Sequence, residues 1–234
     1  MKTVFITGAN KGIGFGIAKH LGLSGWHVII GARNRLRAEN AINELKALGI
    51  VVLGWVNVEL DDLDSIEKAA KEIGEKYPNL SLLVNNAGIP GDMGVGAQYV
   101  DVKDIRKTLD INFVGTYVLT RSLFPILEKN RGRIVNITVP SVISPFWHPF
   151  AYVTSKAAQN AMMGVMAMEF QQSGNRMEIF SVHPGPTTTD LNGNITLPGF
   201  HDIDVVGRKM AELINDGQSH QGEFIELYPI VKED

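Results

Sequence analysis

Short β-branched runs alternate with longer helical patterns from the start of the chain, and this alternation restricts the fold more than any other feature. Residues 3–7 read as a strand, 12–24 as a helix and 27–30 as a strand again. A helix over 36–48, stopped by Gly49, leads into a strand over 50–58. The pattern of 62–77 is an amphipathic helix, with Ser65 or an aspartate near its start as the cap, and 80–84 is a buried-looking strand. Strands joined each time through a helix build βαβ units, and those units build a parallel sheet. No 20–50-residue repeat, low-complexity tract or linker interrupts the series, so residues 1–234 are expected to form a single α/β domain.

Composition removes several classes of function. Hydrophobic residues make up 44% and charged residues 20%, an ordinary globular balance. A net charge of −3 gives no reason to expect nucleic acid or an anionic membrane as partner. Without cysteine there is no disulfide, thiolate metal site or cysteine nucleophile. The six histidines lack metal-ligand spacing, so no metal is expected. No apolar run has the length of a membrane span, and the amino-terminal one is too short for a signal peptide. The expectation is a soluble, cytoplasmic protein.

The first strand–helix junction reads Thr7-Gly8-Ala9-Asn10-Lys11-Gly12-Ile13-Gly14. Glycines allow positive φ and close approach of a phosphate, and the helix that follows offers free N–H groups at the positive end of its dipole. The spacing Gly-x-x-x-Gly-x-Gly differs from the usual dinucleotide fingerprint, though the mechanics are the same. Such a turn is often structural; its position after the first strand favours binding. At the end of the second strand, an NAD site wants a carboxylate and an NADP site a cation. Here stands Gly31-Ala32-Arg33-Asn34, with an arginine and no acid, and Lys11 offers a second cation for the same phosphate. After the fourth strand, Asn85-Asn86-Ala87-Gly88 could lock a turn and leave room for a ribose, although alone it reads as structural.

Further on, residues 132–138 read as a strand, and Tyr152-Val153-Thr154-Ser155-Lys156 opens a long helix with Tyr152 and Lys156 on one face. A tyrosine titrates near ~10 and is a poor proton carrier at neutral pH. A lysine ammonium one turn away favours the phenolate and brings proton exchange with an alcohol or carbonyl oxygen within range. Alone, a Tyr-x-x-x-Lys pair is more often a solvated or snorkelling pair.

Taken in order, Thr7 to Gly14, Asn85 to Gly88, Asn112, Tyr152 to Lys156 and Pro184-Gly185 resemble the short-chain dehydrogenase/reductase family, from Lys2 to about Leu191 and more loosely beyond. The resemblance implies a single-domain Rossmann-type three-layer αβα sandwich with a seven-stranded parallel sheet, and Lys11 with Arg33 resembles the NADP-preferring carbonyl-reductase branch. It implies an NADP(H)-dependent oxidoreductase acting on a small carbonyl or alcohol, with Tyr152 as acid/base and Lys156 on the nicotinamide ribose. Asn112 would fix a water linking Lys156 to solvent, a fitting role for an asparagine in an apolar helix. Asn86, Ala87 and Gly88 would line the adenosine side. Pro184, Gly185, the Thr187 backbone and the Thr189 hydroxyl would hold the carboxamide, leaving His183 structural. Gly8, Asn10, Lys11, Gly12, Ile13, Gly14, Arg33, Asn34, Asn57 and Val58 complete the implied cofactor site.

Two positions depart from the family pattern. Asn57-Val58 replaces the common Asp-Val after the third strand, and the asparagine carbonyl can still accept from adenine. The substrate-polarising serine usually lies thirteen residues before the tyrosine, where this chain has Val139. Ser141 or Thr138 must then supply the hydroxyl, with Ser141 preferred because a one- or two-residue loop shift brings it into place. The alternative is a non-catalytic NADP-binding regulatory or redox-sensing protein.

Apolar residues cover nearly the whole circumference of the helix over 151–172, so a second surface must bury its outer face. In the family this helix and the one over 102–127 form subunit interfaces, which implies a homodimer or homotetramer. Substrate contacts are expected from residues 90–95, 145–150 and 191–201, with Met93, Phe146, Trp147, Phe150, Leu197 and Phe200 as an apolar lining and a short lid at about 190–203.

Overall fold

The structure is a computed structural model describing residues 2–144 and 147–228. In chain order it forms β1 (Thr3–Thr7), α1 (Gly12–Leu23), β2 (His27–Ala32), α2 (Arg35–Ala47), β3 (Val52–Asn57), α3 (Leu63–Lys76) and β4 (Leu80–Asn85). Then come α4 (Val102–Leu109), α5 (Thr116–Lys129), β5 (Arg133–Ile137), α6 (Phe150–Ser173), β6 (Glu178–His183), α7 (Ile203–Ile214) and β7 (Phe224–Glu226). The seven strands are all parallel in the order β3-β2-β1-β4-β5-β6-β7. The chain winds outward from β1 to β3, then starts again beside β1 with β4. The crevice between the carboxyl ends of β1 and β4 is thus the topological switch point, where open α/β sheets bind ligands.

The inner strands β1, β2, β4, β5 and β6 are buried on both faces, which is why they read as continuous apolar runs rather than alternating ones. Val4 and Ile6 pack under α1, α2 and α7 with Leu21, Leu45 and Met210. Phe5 points the other way, into a second core with Ile66 and Ile73 of α3, Leu123 of α5 and Phe170 of α6. These are the three layers expected. Helix α1 meets α7 backbone to backbone: a Cβ on either Gly16 or Gly207 would overlap the other helix's main chain.

Element edges shift by a residue or two from the sequence reading, as fraying ends do. The α3 cap is Asp62, whose Oδ1 accepts from Asp64 N (2.9 Å) and Ser65 N (3.2 Å); Ser65 instead lies inside the helix, accepting from Glu59 N. The helix expected over 102–127 is interrupted. Residues Asp110–Gly115 form a π-helical turn joining α4 to α5. Such single turns mark functional sites. Its last residue is Gly115, where any side chain would overlap the Leu60 carbonyl. Part of α6 stays open: Val165 and Met168 are 55% and 56% exposed, on the outer face for which the sequence reading expects a second surface. No helix among the described residues is long and apolar enough to cross a membrane.

Candidate active site

The proposed cofactor and reaction residues gather at the carboxyl ends of the strands. The first turn is held open by glycine geometry. Gly8 has φ +68° and Gly12 φ +58°, and a Cβ on Gly14 would fall 2.6 Å from the Gly8 carbonyl oxygen. The result is a side-chain-free cradle at the amino terminus of α1, with Asn10, Lys11 and Ile13 around it. Thr7 stitches this turn to the end of β4. Its Oγ1 accepts from Asn86 N and Ala87 N, both at 3.0 Å, and the Asn86 amide donates to Thr7 O at 2.8 Å. A turn that reads as structural in isolation is therefore one wall of the crevice. Its Gly88 lets three groups converge: a Cβ there would stand 3.0 Å from Asn112 Oδ1 and 3.7 Å from Lys156 Nζ.

Arg33 ends β2 exposed, with no hydrogen-bond or ion-pair partner among the described residues, and so can meet an anion. Asn34 is committed elsewhere. Its Oδ1 accepts from Arg37 N at 2.9 Å and caps α2, so its side chain serves the helix rather than a ligand. Asn57 is exposed at the end of β3, next to the buried Val58. Lys11, expected to face a phosphate, pairs with Asp190 at 2.6 Å. Lys11, then Asn194 and Arg37, hold the Asp190 carboxyl below its usual range. Lys11 and Arg37 thus flank one acidic side chain of the segment after β6, a tie no local sequence pattern announces.

That segment follows Pro184 and Gly185, whose φ is +78°. Thr187 is buried, its Oγ1 donating to Gly185 O at 3.0 Å. His201 N donates to Pro186 O (2.8 Å) and Thr188 N to His201 O (3.2 Å), closing the base of the 189–200 loop. Thr189 and Asn192 form a reciprocal capping box within it, and Thr189 faces Gly12 across the crevice. His183 lies beside Glu226 at 3.8 Å, its pKa lowered mainly by burial.

On the other side stands the tyrosine–lysine pair. Lys156 is buried, and its Nζ donates to Ile137 O at 2.8 Å and Gln159 Oε1 at 2.9 Å. Its Nζ lies 5.7 Å from the centre of the Tyr152 ring. Burial lowers the lysine pKa to about 7 and pushes the tyrosine well above its ordinary value. In the free protein desolvation thus outweighs the lysine's pull on the phenol, the reverse of the balance expected from spacing alone. Asn112, in the π-helical turn, spends its side chain on structure: Oδ1 accepts from Ile89 N (2.8 Å), and Nδ2 donates to Ile89 O (2.9 Å) and Ser155 Oγ (3.0 Å). Its main-chain oxygen accepts from Gln159 Nε2 at 2.6 Å.

The sequence reading passed over Gln159, Ser155 and Asp190. The signal available for Gln159 was a pair of amides, Gln159-Asn160, in an otherwise apolar stretch of helix.

The two candidate hydroxyls differ sharply. Thr138 is 1% exposed, and its buried Oγ1 has no hydrogen-bond partner. Ser141 is exposed on a bend. Trp147 packs edge-on against Tyr152, with ring centres 5.1 Å apart, and so walls the approach to the phenol. Phe146 lies outside the described residues. Met93, Leu197 and Phe150 are at least partly exposed on the loops and helix start around the crevice.

A crevice at a Rossmann-type switch point, walled by a glycine turn and a buried tyrosine–lysine pair, is the layout of a dinucleotide-dependent oxidoreductase. A family model described as short chain dehydrogenase matches residues 2–198. Estradiol 17-beta-dehydrogenase 2 of Rattus norvegicus is 28% identical over 195 residues, covering 82% of this chain and 50% of that protein. The chain thus spans about half the length of that relative. A short-chain dehydrogenase of Penicillium roqueforti is 30% identical over 206 residues, covering 81% of this chain and 80% of the other. An NADPH-bound carbonyl reductase from chicken fatty liver superposes with a TM-score of 0.84 at 25% identity, with 96% of each chain covered. A dehydrogenase/reductase from Sinorhizobium meliloti gives a TM-score of 0.83 at 27% identity, covering 96% of this chain and 92% of the other. The chain belongs to the short-chain dehydrogenase family of oxidoreductases.

Proposed function

We propose that this protein is an NADP(H)-dependent oxidoreductase interconverting a small ketone or aldehyde and its alcohol, with Tyr152 as the general acid/base. The observation that carries the reading is the buried Tyr152–Lys156 pair, with Lys156 facing Gly88 at the switch point. A solvated surface pair needs no such burial, and burying an amine at this cost without a use for it is poor design.

The residues present fit the cofactor. The cradle of Gly8, Gly12 and Gly14 would accept the pyrophosphate, which a Cβ at Gly14 would obstruct through its clash with the turn. Arg33 would take the 2′-phosphate, and Lys11 would join it by leaving Asp190. Asn57 and Val58 would border the adenine, Asn86, Ala87 and Gly88 the adenosine ribose. Lys156 would hold the nicotinamide ribose, and Pro184, Gly185, Thr187 and Thr189 the carboxamide. When bound, the cofactor supplies or accepts the hydride. Tyr152 gives a proton to the substrate oxygen in reduction and takes it back in oxidation. Lys156 steadies the phenolate left behind, and Trp147 with the 189–200 loop, acting as a lid, keeps water from the reacting oxygen. Ser141, or Thr138, polarises that oxygen.

Titration of NADPH and NADH by fluorescence tests the cofactor assignment. NADPH is expected to bind at least about tenfold more tightly, and Arg33→Ala with Lys11→Ala to remove the preference. Equal affinity of the unaltered protein for both nucleotides would sink it.

Val139 favours a second reading, a non-catalytic NADP-binding protein, because the usual polarising hydroxyl is missing there. Against it stands the cost of keeping Tyr152 and Lys156 buried, which nucleotide binding alone does not need.

A homodimer or homotetramer through α5 and α6 follows from the open apolar face of Tyr117, Val165 and Met168. Sedimentation equilibrium should return a multiple of the chain mass. A single-chain mass at micromolar concentration would remove this proposal.

A further inference from the structure

Gln159 is 0% exposed, in the same helix turn as Lys156, and its carboxamide is bonded at both ends. Oε1 accepts from Lys156 Nζ at 2.9 Å, and Nε2 donates to Asn112 O at 2.6 Å. The acceptor carbonyl lies in the π-helical turn, and the lysine's other bond goes to Ile137 O at 2.8 Å. The resemblance to the family implies a proton relay from Lys156 to solvent through a water fixed by Asn112. In this chain the group joining Lys156 Nζ to Asn112 O is a carboxamide. An amide transmits a hydrogen bond, but to pass a proton it would have to be protonated on oxygen and stripped on nitrogen, neither of which occurs near neutral pH.

We propose that Gln159 is a positioning residue that holds the Lys156 ammonium in place and charged, and that the Lys156–Asn112 link in this protein is a strut rather than a proton relay. The inference rests on the reading of Tyr152 and Lys156 as the reacting pair. The strut fixes two of the ammonium's three N–H directions, toward Ile137 O and Gln159 Oε1, and leaves one for the crevice side. Tyr152 is the titratable neighbour of Lys156. No carboxylate or histidine contributes to the displacement of either group, and among the described residues Gln159 is the only side chain hydrogen-bonded to the ammonium.

Two substitutions separate positioning from both relay and mere packing. Gln159→Met keeps the volume and removes the acceptor. A hydrogen bond to a charged group is lost, so Lys156 should titrate about one pH unit lower. Gln159→Glu puts a carboxylate against the ammonium, and Lys156 should titrate at least about one unit higher. With NADP⁺ bound, where Lys156 is the cation that faces the phenolate, Tyr152 should move upward in both variants, because Met leaves the lysine neutral at working pH and Glu cancels its charge. The readouts are side-chain NMR signals, Lys156 by its ammonium nitrogen and Tyr152 by its phenol ring carbon, in the whole protein with and without NADP⁺. With five tyrosines in the sequence, comparison with Tyr152→Phe assigns the signal. The acid limb of kcat/KM for alcohol oxidation should follow Tyr152 upward, with turnover falling about tenfold in each variant.

An unmoved Lys156 midpoint in Gln159→Met, or a uniform loss of activity with no shift of the limb, would reduce Gln159 to packing and overturn the proposal. Faster turnover in Gln159→Glu would overturn it too, since a carboxyl group can carry a proton and would then be restoring a relay. The lysine titration needs no substrate. If Tyr152→Phe retains full activity, the Tyr152 reading fails while Lys156 still reports on Gln159. If Tyr152 proves essential and Lys156 does not move, only the inference about Gln159 fails.

Discussion

Tyr152→Phe is expected to lower kcat/KM for carbonyl reduction by about 10²–10⁴-fold while leaving NADPH affinity within about twofold. The phenylalanine keeps the ring that packs edge-on against Trp147, and the Tyr152 hydroxyl has no hydrogen-bond partner among the described residues that would be lost. The change therefore removes one hydroxyl and little else. In the free protein that hydroxyl is held protonated by burial, the form a reductase needs for proton donation. Reduction should thus stay active well into the alkaline range, whereas alcohol oxidation, which needs the phenolate, should rise with pH. Steady-state rates over a panel of ketones and aldehydes, beside NADPH fluorescence titration, check both halves. No turnover with any substrate in a broad panel would favour the binding-protein reading, and turnover that survives Tyr152→Phe would remove Tyr152 as the acid/base.

Much of this architecture was legible in the sequence because it rests on short-range regularities. Strands buried on both faces must be continuously apolar, so β1, β2 and β4 stood out from the helices between them. Gly8, Gly12 and Gly14 could be read because positive φ and close backbone approach leave almost no alternative to glycine. Other features depend on contacts between distant residues. Lys11 meets Asp190 from 179 positions away. Nothing around either residue signals that the cation would be shared between the loop and a phosphate. The π-helical turn at Asp110–Gly115 leaves the apolar pattern of its flanking helices almost intact, so it read as one continuous helix.

The least legible feature was a sign. Sequence spacing shows Lys156 one turn from Tyr152 and suggests that charge attraction governs both. The folded chain buries the pair so fully that desolvation displaces both groups toward their neutral forms. Likewise the role of Val139 turned on loop conformation: Thr138 remains on the strand line and is sealed, while Ser141 sits on an exposed bend. Spacing counted the residues correctly and could not say which would face the crevice.

Burial of Lys156 should also appear in the stability of the cofactor-free protein. Its pKa falls from 10.5 to about 7 on folding, so between those values the unfolded chain binds the extra proton and the folded one does not. Stability therefore rises with pH across that interval, and below about 7 the folded state carries the full cost of a buried ammonium. The total rise is about 5 kcal/mol as an upper bound. Tyr152 acts in the opposite sense above its unfolded value of 10.0, where the folded phenol keeps a proton that the unfolded chain has lost. The gain should accordingly level off there. Urea unfolding of the cofactor-free protein from pH 6 to 10 should show this climb, and Lys156→Met should largely remove it. Met leaves Ile137 O and Gln159 Oε1 without their donor, which lowers stability by a similar amount at every pH, so the slope rather than the midpoint is diagnostic. His220, where desolvation is the largest single effect and lowers the pKa but Glu223 and Asp216 together outweigh it and raise it, contributes a loss as pH rises through its folded value. That loss is common to both proteins and cancels in the difference. Parallel profiles for the two proteins would mean that Lys156 is not titrating near neutrality. A lysine with an ordinary pKa would be charged throughout the range, and the cost of its burial would then have to be met by the hydrogen bonds it donates to Ile137 O and Gln159 Oε1 alone.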